Sequence, residues 1–185
     1  RNDPDNIDIR VALVDALRRR GQLEDALREA KLALKVNSNS AEIYNAMGLA
    51  YIDSGEFLLA RFVFKKALDS IEGADKHAWL HANLGWTDYQ RGEIGPATFR
   101  LQKAVELDPE LVSANVYLSR IYMDDHNYAD TIPLLERAAK ASPDNVGVHM
   151  NLGVAYRGLE KYEDSRKEYE LALNLEPSDP SPYFN

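Results

Sequence analysis

The chain has no cysteine among its 185 residues, which excludes disulfides, thiolate metal ligands and a cysteine nucleophile. No apolar run approaches the ~18 residues that a membrane-spanning helix requires, so no direct membrane insertion is expected. Basic residues are in deficit, 22 Lys and Arg against 30 Asp and Glu for a formal net charge of −8. That balance opposes non-specific attraction to nucleic acid or to an anionic membrane, and no nucleic-acid partner is expected. Histidines number four. His77 and His81 stand at i, i+4, but no third ligand follows at a convincing spacing, so neither a metal site nor a cofactor is expected. No nucleophile, base and orienting group are fixed together, which points to a non-enzymatic protein. No secretory signal follows Arg1, and nothing in the sequence separates a cytoplasmic from a periplasmic location.

What the chain does have is internal repetition. MGLAY (Met47 to Tyr51), LSRIY (Leu118 to Tyr122) and LGVAY (Leu152 to Tyr156) share one pattern. Each is followed by a small residue, Ala60, Thr131 or Ser165, and then by an alanine, Ala67, Ala138 or Ala172. A 34-residue template places units at residues 7–40, 41–74, 78–111, 112–145 and 146–179, with residues 75–77 inserted between the second and third. With 45% hydrophobic residues there is ample material for a continuous core.

Within each unit, apolar residues recur at three- and four-residue steps on either side of a polar break, which predicts two amphipathic helices, A and B. The breaks read RRGQ, DSGE, QRGE, DDHN and GLEK. Gly21, Gly55 and Gly92 share one register, where positive φ can end helix A without a Cβ penalty. Small residues at template positions 8 and 20 allow close helix approach. Pro109, Pro143 and Pro177 close units, and Ser40, Asn145 and Asp179 stand where N-caps belong. Pro133 should bend its helix. The run Arg18-Arg19-Arg20 complements a helix C-terminus.

These motifs resemble the tetratricopeptide repeat (TPR) family, whose pattern W-x2-L-G-x2-Y, A-x3-F, A and P is matched most fully by Tyr44, Met47, Gly48, Tyr51, Ala60, Phe64 and Ala67. The resemblance implies an all-α fold, a right-handed α-α superhelix of helix-turn-helix repeats. Residues 1–6 then read as the end of a preceding repeat and residues 180–185, from Pro180 past Tyr183, as the start of a sixth, as though cut from a longer array.

The resemblance also implies a non-enzymatic protein-interaction scaffold, with a protein or peptide partner held in a concave groove lined by the A helices. Template positions 2, 5, 6, 9, 12 and 13 face that groove. The candidate site residues are Asn45, Leu49 and Ile52; Trp79, Asn83, Trp86 and Tyr89; Val116, Tyr117 and Arg120; and Met150, Asn151, Val154 and Arg157. Aromatics at positions 2, 9 and 12 of the third unit put both tryptophans of the chain on this face, and such residues dominate binding hot spots. The alternative for Trp79 and Trp86 is packing against the inserted stretch or against neighbouring A helices. His81 and Asp88 replace the usual large aromatics at positions 4 and 11, and a polar pair between them is expected. The clamp by which chaperone-binding members hold a C-terminal carboxylate needs lysines and an arginine that no window supplies, so a chaperone tail is not expected as partner. Two other readings stay open: an array that self-associates through its truncated ends, and an accessory subunit of a bacterial envelope, pilus or motility machine.

Overall fold

A computed structural model describes residues 6–176, which form ten α-helices joined by short turns. In chain order these are α1 (Ile7–Arg19), α2 (Leu23–Val36), α3 (Ala41–Asp53), α4 (Phe57–Ser70), α5 (Ala78–Gln90), α6 (Ile94–Leu107), α7 (Val112–Asp124), α8 (Tyr128–Ala141), α9 (Val146–Gly158) and α10 (Tyr162–Leu175). One 3-10 turn, Ala74–Lys76, precedes α5 and occupies most of the inserted stretch. The chain forms two compact units, the first ending at Arg100 and the second beginning at Leu101. Of the preceding-repeat end expected at residues 1–6 all but Asn6, and the whole sixth-repeat start expected at residues 180–185, lie outside the described residues, as do Pro177 and the Asp179 cap.

Side-chain caps start several helices. Asn6, Ser40 and Asn145 each accept the backbone N–H three residues on, from Ile9 (3.2 Å), Ile43 (3.3 Å) and Val148 (3.2 Å). Each such cap is worth about 1 kcal/mol. The odd-numbered helices all end alike. Gln22, Glu56, Glu93, Asn127 and Lys161 donate their N–H to the carbonyl five residues back at 2.7–2.9 Å, around a residue of positive φ. This is the Schellman closure, and it satisfies carbonyls that a helix end otherwise leaves orphaned. Gly21, Gly55 and Gly92 supply the positive φ in three cases, as their register predicts, but His126 (φ 55°) and Glu160 (φ 60°) supply it in the other two.

In the first unit, α1 packs on α2 and α3, and α3 packs on α2, α4 and α5. Val14, Ala26, Tyr44, Met47, Tyr51, Phe64, Leu80 and Leu84 are among its buried core residues. The approach of α3 to α4 depends on Gly48, because a Cβ there would collide with the Phe64 ring. In the second unit, α7 packs on α8, α8 on α9 and α9 on α10, around Leu135, Ala138, Val148 and Leu152. Gly153 repeats the role of Gly48, lying against the Tyr169 ring, and Ser165 donates its hydroxyl to the Gly153 carbonyl at 2.8 Å. The exposed Pro133 lies inside α8, which continues to Ala141.

Candidate functional site

In the first unit the candidate residues stand on α3 and α5. Asn45, Leu49, Ile52, Trp79, Trp86 and Tyr89 are half-buried and Asn83 is buried. The two helices are tied at this face by the Asn83 amide, which donates to the Asn45 side-chain oxygen at 2.7 Å. Trp86 stacks on Tyr89 with ring centroids 5.1 Å apart and planes inclined by 22°, one helical turn apart on α5. Trp79 is placed differently: it stacks on His77 of the inserted stretch at 4.8 Å and packs against the core, as Ile52 also does. The two tryptophans therefore have separate surroundings, although they share a template face.

Charge at this end of the unit is paired. Arg18 on α1 donates to Asp53 on α3 at 2.8 Å and approaches Asp15 at 3.5 Å. Thus one arginine of the basic run bridges two A helices in addition to ending one. Asp88, 2% exposed, does not pair with His81 as expected. Its carboxylate accepts from Arg61 on α4 at 2.7 Å, with Arg91 at 3.9 Å. Seven residues along a helix is a rise of ~10 Å, too far for His81 to reach Asp88. The inserted stretch holds His81 instead, through a 3.0 Å hydrogen bond from Nε2 to the Asp75 carbonyl.

In the second unit Val116, Tyr117, Met150, Asn151 and Val154 are half-buried, and Arg120 and Arg157 are exposed. Val116 packs against the core, and Arg120 forms an ion pair with Asp124 at 3.2 Å.

A further set of polar residues shares one register position, and of these the sequence reading singled out only His81 there. Arg10, His81, Asn115 and His149 all occupy the fourth position of an odd-numbered helix. Asn115 donates to the Pro109 carbonyl (2.9 Å), and His149 Nε2 donates to the Pro143 carbonyl (2.9 Å), just as His81 does to Asp75. Each therefore fastens the loop that leads into its own helix. Arg10 and His149 also reach the following helix, through Glu29 at 2.6 Å and Glu168 at 2.7 Å. The signal was available, since a polar residue at a position reserved for a large aromatic needs a partner when buried. Both ring nitrogens of His149 face acceptors, an arrangement satisfied in full only by the imidazolium. Burial opposes that charge, but the hydrogen bonds to Glu168 and Pro143 and the Glu168 charge outweigh it and raise the His149 pKa.

Among the described residues, no group of three or more His, Asp or Glu could hold a metal ion, and no helix is long and apolar enough to cross a membrane.

Comparison with known proteins agrees with this architecture. Models of the tetratricopeptide repeat match residues 41–72 and 122–184, and a TPR repeat model matches residues 15–55. The chain belongs to the tetratricopeptide repeat family, a class of protein-binding scaffolds that is generally non-enzymatic. Anaphase-promoting complex subunit 7 of Homo sapiens is 24% identical over 164 residues, which is 89% of this chain but 28% of that protein. The TPR repeat-containing protein YpiA of Bacillus subtilis is 23% identical over 82% of this chain and 35% of its own length. The chain thus spans about a third or less of these relatives. Among solved structures, Pseudomonas aeruginosa PilF superposes with a TM-score of 0.82 at 21% identity, covering 95% of this chain and 79% of that one. MamA superposes at 0.70 with 24% identity, over 89% and 94% of the two chains. YrrB, a TPR protein with an unusual peptide-binding site, superposes at 0.66 with 21% identity, over 98% and 92%. At these identities the structural likeness carries the fold.

Proposed function

We propose that the chain is a non-enzymatic scaffold that holds a partner peptide or helix on the face formed by α3 and α5. The observation that carries this reading is the Trp86–Tyr89 stack, half-exposed, beside the linked amides of Asn45 and Asn83. Two rigid aromatic rings offer a large contact area with little side-chain entropy to lose, the character of a binding hot spot. Leu49 continues the apolar surface on α3. Trp79 contributes less, because it is engaged by His77 and the core. On α7 and α9, Tyr117, Met150, Asn151 and Val154 form a separate candidate surface of the second unit.

The test is retention of a partner from native cell extract by the chain and by its Trp86→Ala variant. The substitution should weaken binding by about 2 kcal/mol or more and leave helical content unchanged. Leu101→Ala, a buried position, is the control: it should cost roughly 2 to 5 kcal/mol of stability and affect binding only through loss of fold. Partner binding that ignores substitutions at Trp86 and Tyr89 and leaves tryptophan fluorescence unshifted would refute this site.

A further inference from the structure

The outward face of α4 is the least expected surface of the first unit. Leu58 is 70% exposed and Phe62 is 64% exposed, one turn apart, and Leu59 beside them is exposed as well. Phe99, the sixth residue of α6 as Phe62 is of α4, is also 64% exposed. An isolated exposed leucine needs no explanation, but a leucine and a phenylalanine at i, i+4 with a further leucine beside them form an apolar ridge on α4.

The charge around this patch is distinctive. Helix α4 carries Arg61, Lys65 and Lys66 against the single acid Asp69, in a chain whose net charge is −8. Arg61 is committed to Asp88, and the Lys66 ammonium lies 5.7 Å from the centroid of the Tyr44 ring. Leu58, Phe62, Lys65 and Asp69 line a shallow depression along the helix.

We propose that this face docks an acidic amphipathic helix of a partner protein, independently of the α3–α5 site. A ridge of i, i+4 side chains is the feature that a second helix packs against, and i/i+4 anchors on the partner are its complement. The lysines select an acidic flank on that partner and increase its association rate.

The test uses two Ala-rich peptides of roughly 20 residues, long enough to be helical alone, each with leucines at i and i+4. One is flanked by glutamates and the other by lysines. Fluorescence anisotropy should show the glutamate peptide binding at least about tenfold tighter than the lysine peptide. Leu58→Ser with Phe62→Ser should weaken it about tenfold or more, Lys65→Glu severalfold, and Trp86→Ala not at all. These side chains are exposed, so circular dichroism of the variants should match the parent. The proposal is overturned if neither peptide binds, if both bind equally, if the serine variant binds as the parent does, or if Trp86→Ala abolishes binding. Self-association of the parent chain that the serine variant loses in sedimentation would identify the occupant as a second copy and overturn it likewise.

Discussion

Removing the Arg61 side chain should destabilise the first unit far more than an exposed arginine normally would. Its guanidinium, 38% exposed, donates at 2.7 Å to the carboxylate of Asp88, whose side chain is 3% exposed. Breaking a buried pair by deleting one partner costs about 3 to 5 kcal/mol, because an uncompensated charge remains inside. Two features reduce that figure here: Arg61 is partly solvated, and Arg91 stands 3.9 Å from the same carboxylate and can move in. The expected cost of Arg61→Ala is therefore about 2 to 3 kcal/mol. Asp88→Leu should change stability by about 1 kcal/mol or less in either direction, because it removes the buried charge and leaves only a half-exposed cation. In the Asp88→Leu background, Arg61→Ala should cost almost nothing. The assay is urea unfolding followed by tryptophan fluorescence, since Trp79 and Trp86 both lie on α5, the helix that carries Asp88. An Arg61→Ala cost below about 0.5 kcal/mol, within the range of surface pairs, would refute the reasoning. So would equal costs of that substitution in the two backgrounds.

Glu160→Gly and His126→Gly should each stabilise the second unit by about 1 kcal/mol in urea titrations, because they relieve positive φ at residues with a Cβ. Gly48→Val should destabilise the first unit by at least about 2 kcal/mol, through the collision with Phe64. The link through His149 should make the second unit lose stability as pH rises. A raised folded pKa means the contribution is complete below the ordinary value of 6.5 and is lost as pH passes through the raised folded value. Glu168→Gln should flatten that dependence, as measured by hydrogen exchange of α9 and α10 between mildly acidic and neutral pH.

What could be read in advance was whatever the repeat template states redundantly. The helix pairs carry their periodicity, the small residues that let helices approach, and the glycines that close three of the five A helices. Closure at His126 and Glu160 was hidden because neither residue advertises positive φ; the packing of the unit imposes it and the side chain tolerates the strain. The partner of Asp88 was hidden for a different reason. A one-dimensional reading favours neighbours on the same helix, so it nominated His81, whereas the cation arrives from α4, 27 residues earlier in the chain.

The same distinction governs how departures from the repeat pattern should be interpreted. Polar residues at the fourth position fasten loops and link helices, so their departure from the pattern is explained inside the fold. Trp79 is explained in part by His77 and the core. Leu58 and Phe62 are not so explained, because burial of apolar area stabilises a fold at about 25 cal/mol per Å² and these two side chains leave most of theirs in water. A departure from the repeat pattern therefore nominates a residue for function only after its intramolecular contacts have been subtracted. By that criterion the α4 ridge remains, on helix B of one repeat; the Trp86–Tyr89 stack, on helix A of the next, is nominated by its half-exposed aromatic area, while the His81 and Asp88 substitutions that looked most irregular in sequence belong to structure.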